Sequence, residues 1–207
     1  MPGIVLPNLT FIHIPKTGGT SIGHWLYQNS SDANSAKLDY VHKRYSDQVV
    51  NRDTTTFAVV RNPWDRMVSL YFFIKSGNFS TTRETDVKQW QDYCMQFEKY
   101  ADFKAWLKDV PNLDRLAPTG RTDLTFNFTE LTPQVWWLDG PVTHLLRFET
   151  LQEDFKIIQD LTNCYTPLNI ENESNHDPDY RVYYDDESRE LVATWFADDI
   201  KQLGYEF

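Results

Sequence analysis

The segment Phe11-Ile12-His13-Ile14-Pro15-Lys16-Thr17-Gly18-Gly19-Thr20-Ser21 constrains this chain more than any other. An apolar, β-branched run from Leu9 to Ile14 reads as a buried strand. Pro15 to Ser21 is rich in Gly and Thr and reads as a loop, and Ile22 to Gln28 starts a helix. Glycines let a backbone fold so that its N–H groups converge. Thr20 and Ser21 open a helix whose N-terminus favours an anion, and Lys16 adds a mobile positive charge. Lys16, Thr17, Gly18, Gly19, Thr20 and Ser21 are therefore expected to form a phosphate or sulfate site. The plainer alternative is a tight turn between strand and helix, which needs neither the lysine nor three hydroxyls. The usual nucleotide loop places its lysine after the glycines. Here Lys16 precedes them, and no G-x-G-x-x-G is present, so standard nucleotide and dinucleotide sites fit poorly.

A second strand-to-helix passage follows. Thr54 to Val60 is β-branched and apolar, and Asn62-Pro63-Trp64-Asp65 carries helix-opening chemistry. The helix is expected to run through Lys75, with Met67, Leu70, Tyr71 and Ile74 on its apolar face. Arg61 ends the strand at the edge where open α/β sheets bind ligands. Its guanidinium fork, with the Ser69 hydroxyl two turns on, suits a second phosphate. Arg66 is expected to be structural, paired with Asp65 or another acid.

The rest of the chain continues the alternation. A helix is expected from about Val87 to Lys108, a strand over Val142 to Phe148, and a helix from a Thr150/Glu153 capping box to Leu161. Asp186 to Leu203 reads as a last amphipathic helix, with Val192, Phe196, Ile200 and Leu203 on one face and Gly204 as its stop. This pattern predicts a single α/β domain over 1–207, with a central, mainly parallel sheet flanked by helices.

Charge narrows the partners. The chain of 207 residues has a formal net charge of −10, which argues against a general nucleic-acid binder. The average hides an asymmetry. Residues 1–75 carry eight Lys/Arg against five Asp/Glu, and residues 76–207 carry twelve against twenty-five. Both anion motifs fall in the basic third. No apolar run is long enough for a membrane span, and the start lacks a signal-peptide layout, so a soluble, cytoplasmic protein is expected. On that expectation the N-x-[ST] triplets at Asn8, Asn29, Asn78, Asn127 and Asn172 carry no sugar. Cys94 and Cys164 make neither a disulfide framework nor a metal cluster, and no metal is expected.

Pro15 to Ser21, followed by Arg61-Asn62-Pro63-Trp64-Asp65-Arg66 and Ser69, resembles the sulfotransferases that use 3′-phosphoadenosine 5′-phosphosulfate (PAPS). The likeness is to the carbohydrate branch, such as the heparan sulfate 2-O-sulfotransferases and their microbial relatives. Thr132 to Leu138, Leu146 to Glu149 and Asp199 to Phe207 look like later blocks of the same group. The resemblance implies a P-loop-like sulfotransferase fold with the cofactor motifs in 11–75. It implies that Lys16 to Ser21 hold the 5′-phosphosulfate and that Arg61 and Ser69 hold the 3′-phosphate of PAPS or its product, PAP.

A base should take the proton from an acceptor hydroxyl, and histidine suits that task near neutral pH. His13 and His144 sit in expected strands, and His176 in a polar loop. His24 follows the phosphate loop, and Trp25 occupies the offset at which some sulfotransferases carry a catalytic Glu. The 2-O-sulfotransferases place a catalytic His between the two cofactor motifs, which implies His42, with Lys16 stabilising the leaving phosphate. The acceptor region is expected in 76–140 and the loop 168–184, with Trp90, Tyr93, Tyr100 and Trp136 as aromatic candidates and Trp106 and Trp137 as core. Gln134 is a candidate substrate contact. The acidic remainder favours a neutral glycan or small alcohol over a polyanion, unless Arg115, Arg121 and Arg181 make a local basic patch. A variant P-loop phosphotransferase or hydrolase, and a non-catalytic PAP-binding module, stay open as other readings. Oligomeric state is not legible in the sequence.

Overall fold

The computed structural model describes residues 5–6, 9–29, 42–48, 53–77, 97–110, 131–171 and 176–207. In chain order they form strands β1 (Val5–Leu6) and β2 (Leu9–Ile12), helices α1 (Gly19–Asn29) and α2 (Tyr45–Gln48), strand β3 (Thr55–Val60), and helices α3 (Pro63–Ser76), α4 (Phe103–Asp109) and α5 (Gln134–Trp137). Strand β4 (His144–Arg147) follows, then helices α6 (Leu151–Asp154), α7 (Lys156–Thr162), α8 (Asp186–Trp195) and α9 (Ala197–Leu203). Two compact units result, one from residues 1–62 and 133–173 and one from 63–132 and 174–207.

The first unit is built on a sheet of order β1-β2-β3-β4. β1 pairs antiparallel with β2, while β2, β3 and β4 run parallel, with Ile12 opposite Ala58 and Val60 opposite Arg147. Parallel neighbours need a crossover, and α1 and α2 are the described helices of the one between β2 and β3. Every residue of β2 and all but the first of β3 are buried. That is why both read as unbroken apolar runs rather than alternating ones. Phe11 stacks on Phe57 at 4.8 Å, and Ile22, Trp25 and Leu26 of α1 join Phe155 and Ile158 in the same core. Each such side chain contributes roughly 1.5–3 kcal/mol on full burial. Trp25 stands edge-on to Phe155 at 4.9 Å and donates its indole N–H to the Thr166 carbonyl at 2.9 Å.

The second unit has its own core around α3, α4 and α8. Met67, Leu70, Tyr71 and Ile74 are buried as expected, and Trp64, Val68 and Ser69 are buried with them. Tyr71 meets the rings of Phe97, Phe103 and Trp106 at 5.1, 5.5 and 5.6 Å. Arg66 is structural, at 1% exposure; it donates to the Thr132 carbonyl at 3.0 Å and lies over Phe196.

Three expected elements differ. The helix expected from Val87 to Lys108 is broken over its described part: the Asp102 carboxylate accepts from Ala105 N–H at 2.9 Å and starts α4 afresh; its earlier residues lie outside the described ones. The Thr150/Glu153 capping box does not form. Thr150 makes no side-chain cap, Glu153 pairs with Lys156 at 2.6 Å, and the helix is split at Phe155 into α6 and α7. The last helix divides at Phe196, whose buried ring ends α8 before α9 runs to Gly204, a left-handed stop at φ 69°. Asp185 caps α8 in a reciprocal box with Ser188. Among the described residues, no helix is long and apolar enough to cross a membrane.

Candidate functional site

Three parallel strands of the first unit deliver their C-terminal ends to one edge. β2 leads into His13 to Gly18, β3 into Arg61, and β4 into Phe148. The loop after β2 has two left-handed residues, Lys16 at φ 67° and Gly18 at φ 83°. Positive φ at a residue with a side chain is uncommon and signals a geometry imposed by its surroundings. Left-handed residues in such a loop turn successive N–H groups toward one concavity, the arrangement known to bind anions. The first-turn amides of α1 follow directly and have no acceptor within the helix.

Each loop residue has a distinct task. The Thr17 hydroxyl is buried and donates to the Ile14 carbonyl at 2.9 Å, so it braces the loop. Gly18 lies against Phe148 and Leu151, 3.3 Å from where its Cβ would stand. Gly19 needs no unusual φ; a Cβ there would collide with the His13 imidazole, so the glycine is required by packing. Thr20 and Lys16 are half-buried. The Ser21 hydroxyl accepts the Glu171 N–H at 2.9 Å and retains its own proton to donate.

Arg61 ties the loop to β3. It is 7% exposed, donates to the Lys16 carbonyl at 3.4 Å, and lies 4.0 Å over the Phe148 ring. Its own backbone is held by Gln134: Arg61 N–H donates to Oε1 and Nε2 donates to Arg61 O, both at 2.8 Å. Gln134 is fully buried, so the expected substrate contact is corrected: its amide extends the β3 hydrogen-bond ladder by side chain. The Glu149 carboxylate accepts from Asn62 N–H at 2.6 Å, which offsets an acid that would otherwise oppose an anion.

His42 lies at the same loop. Its Nδ1 is 3.1 Å from the His13 carbonyl, and its ring is 4.3 Å from that of His13 and 6.0 Å from Trp137. A carbonyl only accepts, so in neutral His42 the proton sits on Nδ1 and the lone pair on Nε2. His24 pairs with Glu171, whose N–H donates to the Ser21 hydroxyl, and Trp25 is core. Ser69 is on α3 of the second unit, at 3% exposure.

Of the aromatic candidates, Trp106 and Trp137 are core at 1% exposure, as expected. The Trp137 indole N–H has no hydrogen-bond partner among the described residues. Trp136 is half-buried with Arg44 over its ring, and Tyr100 bonds to Asp109. Arg181 pairs with Asp179. Trp90, Tyr93, Arg115 and Arg121 lie outside the described residues. Sequence reasoning missed Phe148 as a wall of the Lys16–Gly18 loop; its only signal was a later block of the family resemblance, and its position one residue beyond β4 matches that of Arg61 beyond β3. Among the described residues, no three His, Cys, Asp or Glu side chains cluster to hold a metal.

A family model described as "Sulfotransferase family" matches residues 7–206. No curated protein matches the chain.

Proposed function

The chain belongs to the sulfotransferase family, and from that premise we propose that it moves the sulfuryl group of PAPS to a hydroxyl of a neutral glycan or small alcohol. The match runs through both units, which supports reading them as parts of one catalytic domain. The left-handed Lys16 and Gly18, the N-terminus of α1 and the Arg61 guanidinium suit a phosphosulfate by charge and by donor count. Lys16 and the backbone amides of Thr17, Gly18, Gly19, Thr20 and Ser21 hold it. Arg61 and Ser69 are assigned to the 3′-phosphate on the strength of their motif.

When bound, PAPS supplies an activated sulfuryl group on a phosphate that can leave. His42 accepts the acceptor hydroxyl's proton at Nε2 as the new O–S bond forms. Lys16 and the loop amides stabilise the charge that grows on the phosphate oxygen as the old S–O bond breaks. Catalysis of this kind is mostly positioning and charge stabilisation. The observation that carries the reading is an imidazole placed at the Gly-rich loop: His42 bonded to the His13 carbonyl, with the His13 ring against Gly19.

Transfer of ³⁵S from labelled PAPS to a panel of neutral glycans, sulfated polysaccharides and small alcohols tests it. Label in a neutral hydroxyl compound is expected. Binding of PAP with no transfer to any acceptor would leave a non-catalytic binding module. A thermal shift with ATP–Mg²⁺ and none with PAP would favour a phosphotransferase instead.

A further inference from the structure

His42 stands at the head of a short segment, residues 42–48, whose one helical turn is α2. A single turn has no persistence of its own, since helices this short are marginal in water. Its placement must come from tertiary contacts, and residues 136–140 provide them for His42, Arg44, Tyr45 and Ser46. The His42 ring meets Trp137 edge-on at 6.0 Å. The Arg44 guanidinium lies 4.6 Å over Trp136 and pairs with Asp139 at 3.3 Å, with Asp47 also on it at 3.3 Å. The Tyr45 ring packs so closely on Gly140 that a Cβ there would collide with it. Ser46 donates its N–H to Asp139 Oδ1 at 2.9 Å and its hydroxyl to Oδ2 at 2.6 Å.

One carboxylate thus receives three donors from the segment that carries His42. We infer that Asp139 is a positioning residue for sulfuryl transfer: through Ser46 and Arg44 it holds His42 at the phosphate loop. The inference rests on the reading of His42 as base. Exposed ion pairs contribute little stability one by one, so the role of Asp139 is geometric. A displacement of about 1 Å at a reacting group costs about 100-fold in rate.

The test uses the full chain with Asp139→Ala and, independently, Gly140→Ala, which displaces Tyr45. Both are expected to lower kcat by about 10- to 100-fold while the Kd for PAP, measured by calorimetry, stays within about twofold. In ¹⁵N-histidine spectra, His42 is expected to show the Nδ1–H tautomer in the parent protein and an averaged signal in Asp139→Ala. In a His42→Ala background, Asp139→Ala should cost nothing further. Unchanged kcat in Asp139→Ala, an equal loss in both backgrounds, or a parallel loss of PAP affinity overturns the inference. If His42→Ala is itself fully active, the base reading fails, and the clamp stands or falls on the imidazole spectrum alone.

Discussion

The side-chain amide of Gln134 closes a two-bond ring on the backbone of Arg61, accepting from its N–H and donating to its carbonyl, each at 2.8 Å. A residue from α5 thereby continues the hydrogen bonding of β3 past its last strand residue. Arg61 is held where its guanidinium reaches the Lys16 carbonyl. Gln134→Ala strips two buried backbone groups of these partners, at about 1–3 kcal/mol each. The urea midpoint should fall accordingly, and Gln134→Glu should not restore it, because a carboxylate cannot donate to the Arg61 carbonyl. An unchanged midpoint in Gln134→Ala would mean that water replaces the amide.

Arg61→Ala removes both the proposed phosphate contact and the brace on Lys16. PAP affinity should drop by about 1.5–3 kcal/mol, the range for a hydrogen bond to a charged group. Arg61→Lys should recover little, since an ammonium lacks the planar fork that lies on Phe148. Calorimetry that finds equal affinity in Arg61→Ala refutes the assignment.

His42→Ala should lower turnover by about 100- to 10,000-fold, the usual contribution of a general base, and leave PAP affinity nearly intact. Single-turnover ³⁵S transfer beside calorimetry separates the two. Unchanged turnover removes His42 from the role.

Lys16 combines its proposed role at the phosphosulfate with backbone strain, at φ 67°. Lys16→Gly and Lys16→Ala should both lose transfer by about 100-fold or more, as when a charge-stabilising donor is deleted. Their stabilities should diverge: glycine tolerates the left-handed region, so Lys16→Gly should be more stable than Lys16→Ala by about 1 kcal/mol. Equal melting of the two variants would show that the strain is relieved elsewhere.

Asp185 gives a pH test of the second unit. The Ser188 hydroxyl and backbone N–H, helped by Lys104, hold its carboxyl down to about 2 from an ordinary 3.8. A depressed carboxyl stabilises the folded state above its unfolded pKa and loses that effect as pH falls toward its folded one. Asp185→Ala should therefore be less stable than the parent at pH 6, and the gap should narrow by pH 3 in urea titrations. A gap that does not change with pH would assign the effect to the hydrogen bonds of a neutral cap.

Much of the fold was legible because local chemistry and burial agreed. β2 and β3 are buried on both faces, so unbroken apolar runs mark them without ambiguity. α3 starts at Pro63 and α9 stops at Gly204, where proline and left-handed glycine act through their own backbones. Local signals failed where tertiary contacts competed. Glu153 paired with Lys156 instead of capping, and Phe196 entered the core and divided the last helix.

The sequence by itself determined the composition of the loop proposed to hold the phosphosulfate: a lysine, two glycines and three hydroxyls at the passage from a strand into a helix. It also marked Arg61 at the end of the next strand. Only the tertiary structure decided which groups are already occupied and which meet. Thr17 is bound to Ile14, Gly19 is a glycine because His13 fills the space, and Gln134 serves Arg61 rather than a substrate. His42 reaches His13 across 29 residues of chain. The reason is physical. Donor types and strand ends are properties of short segments, whereas the satisfaction of buried polar groups depends on partners supplied by residues far apart in the chain.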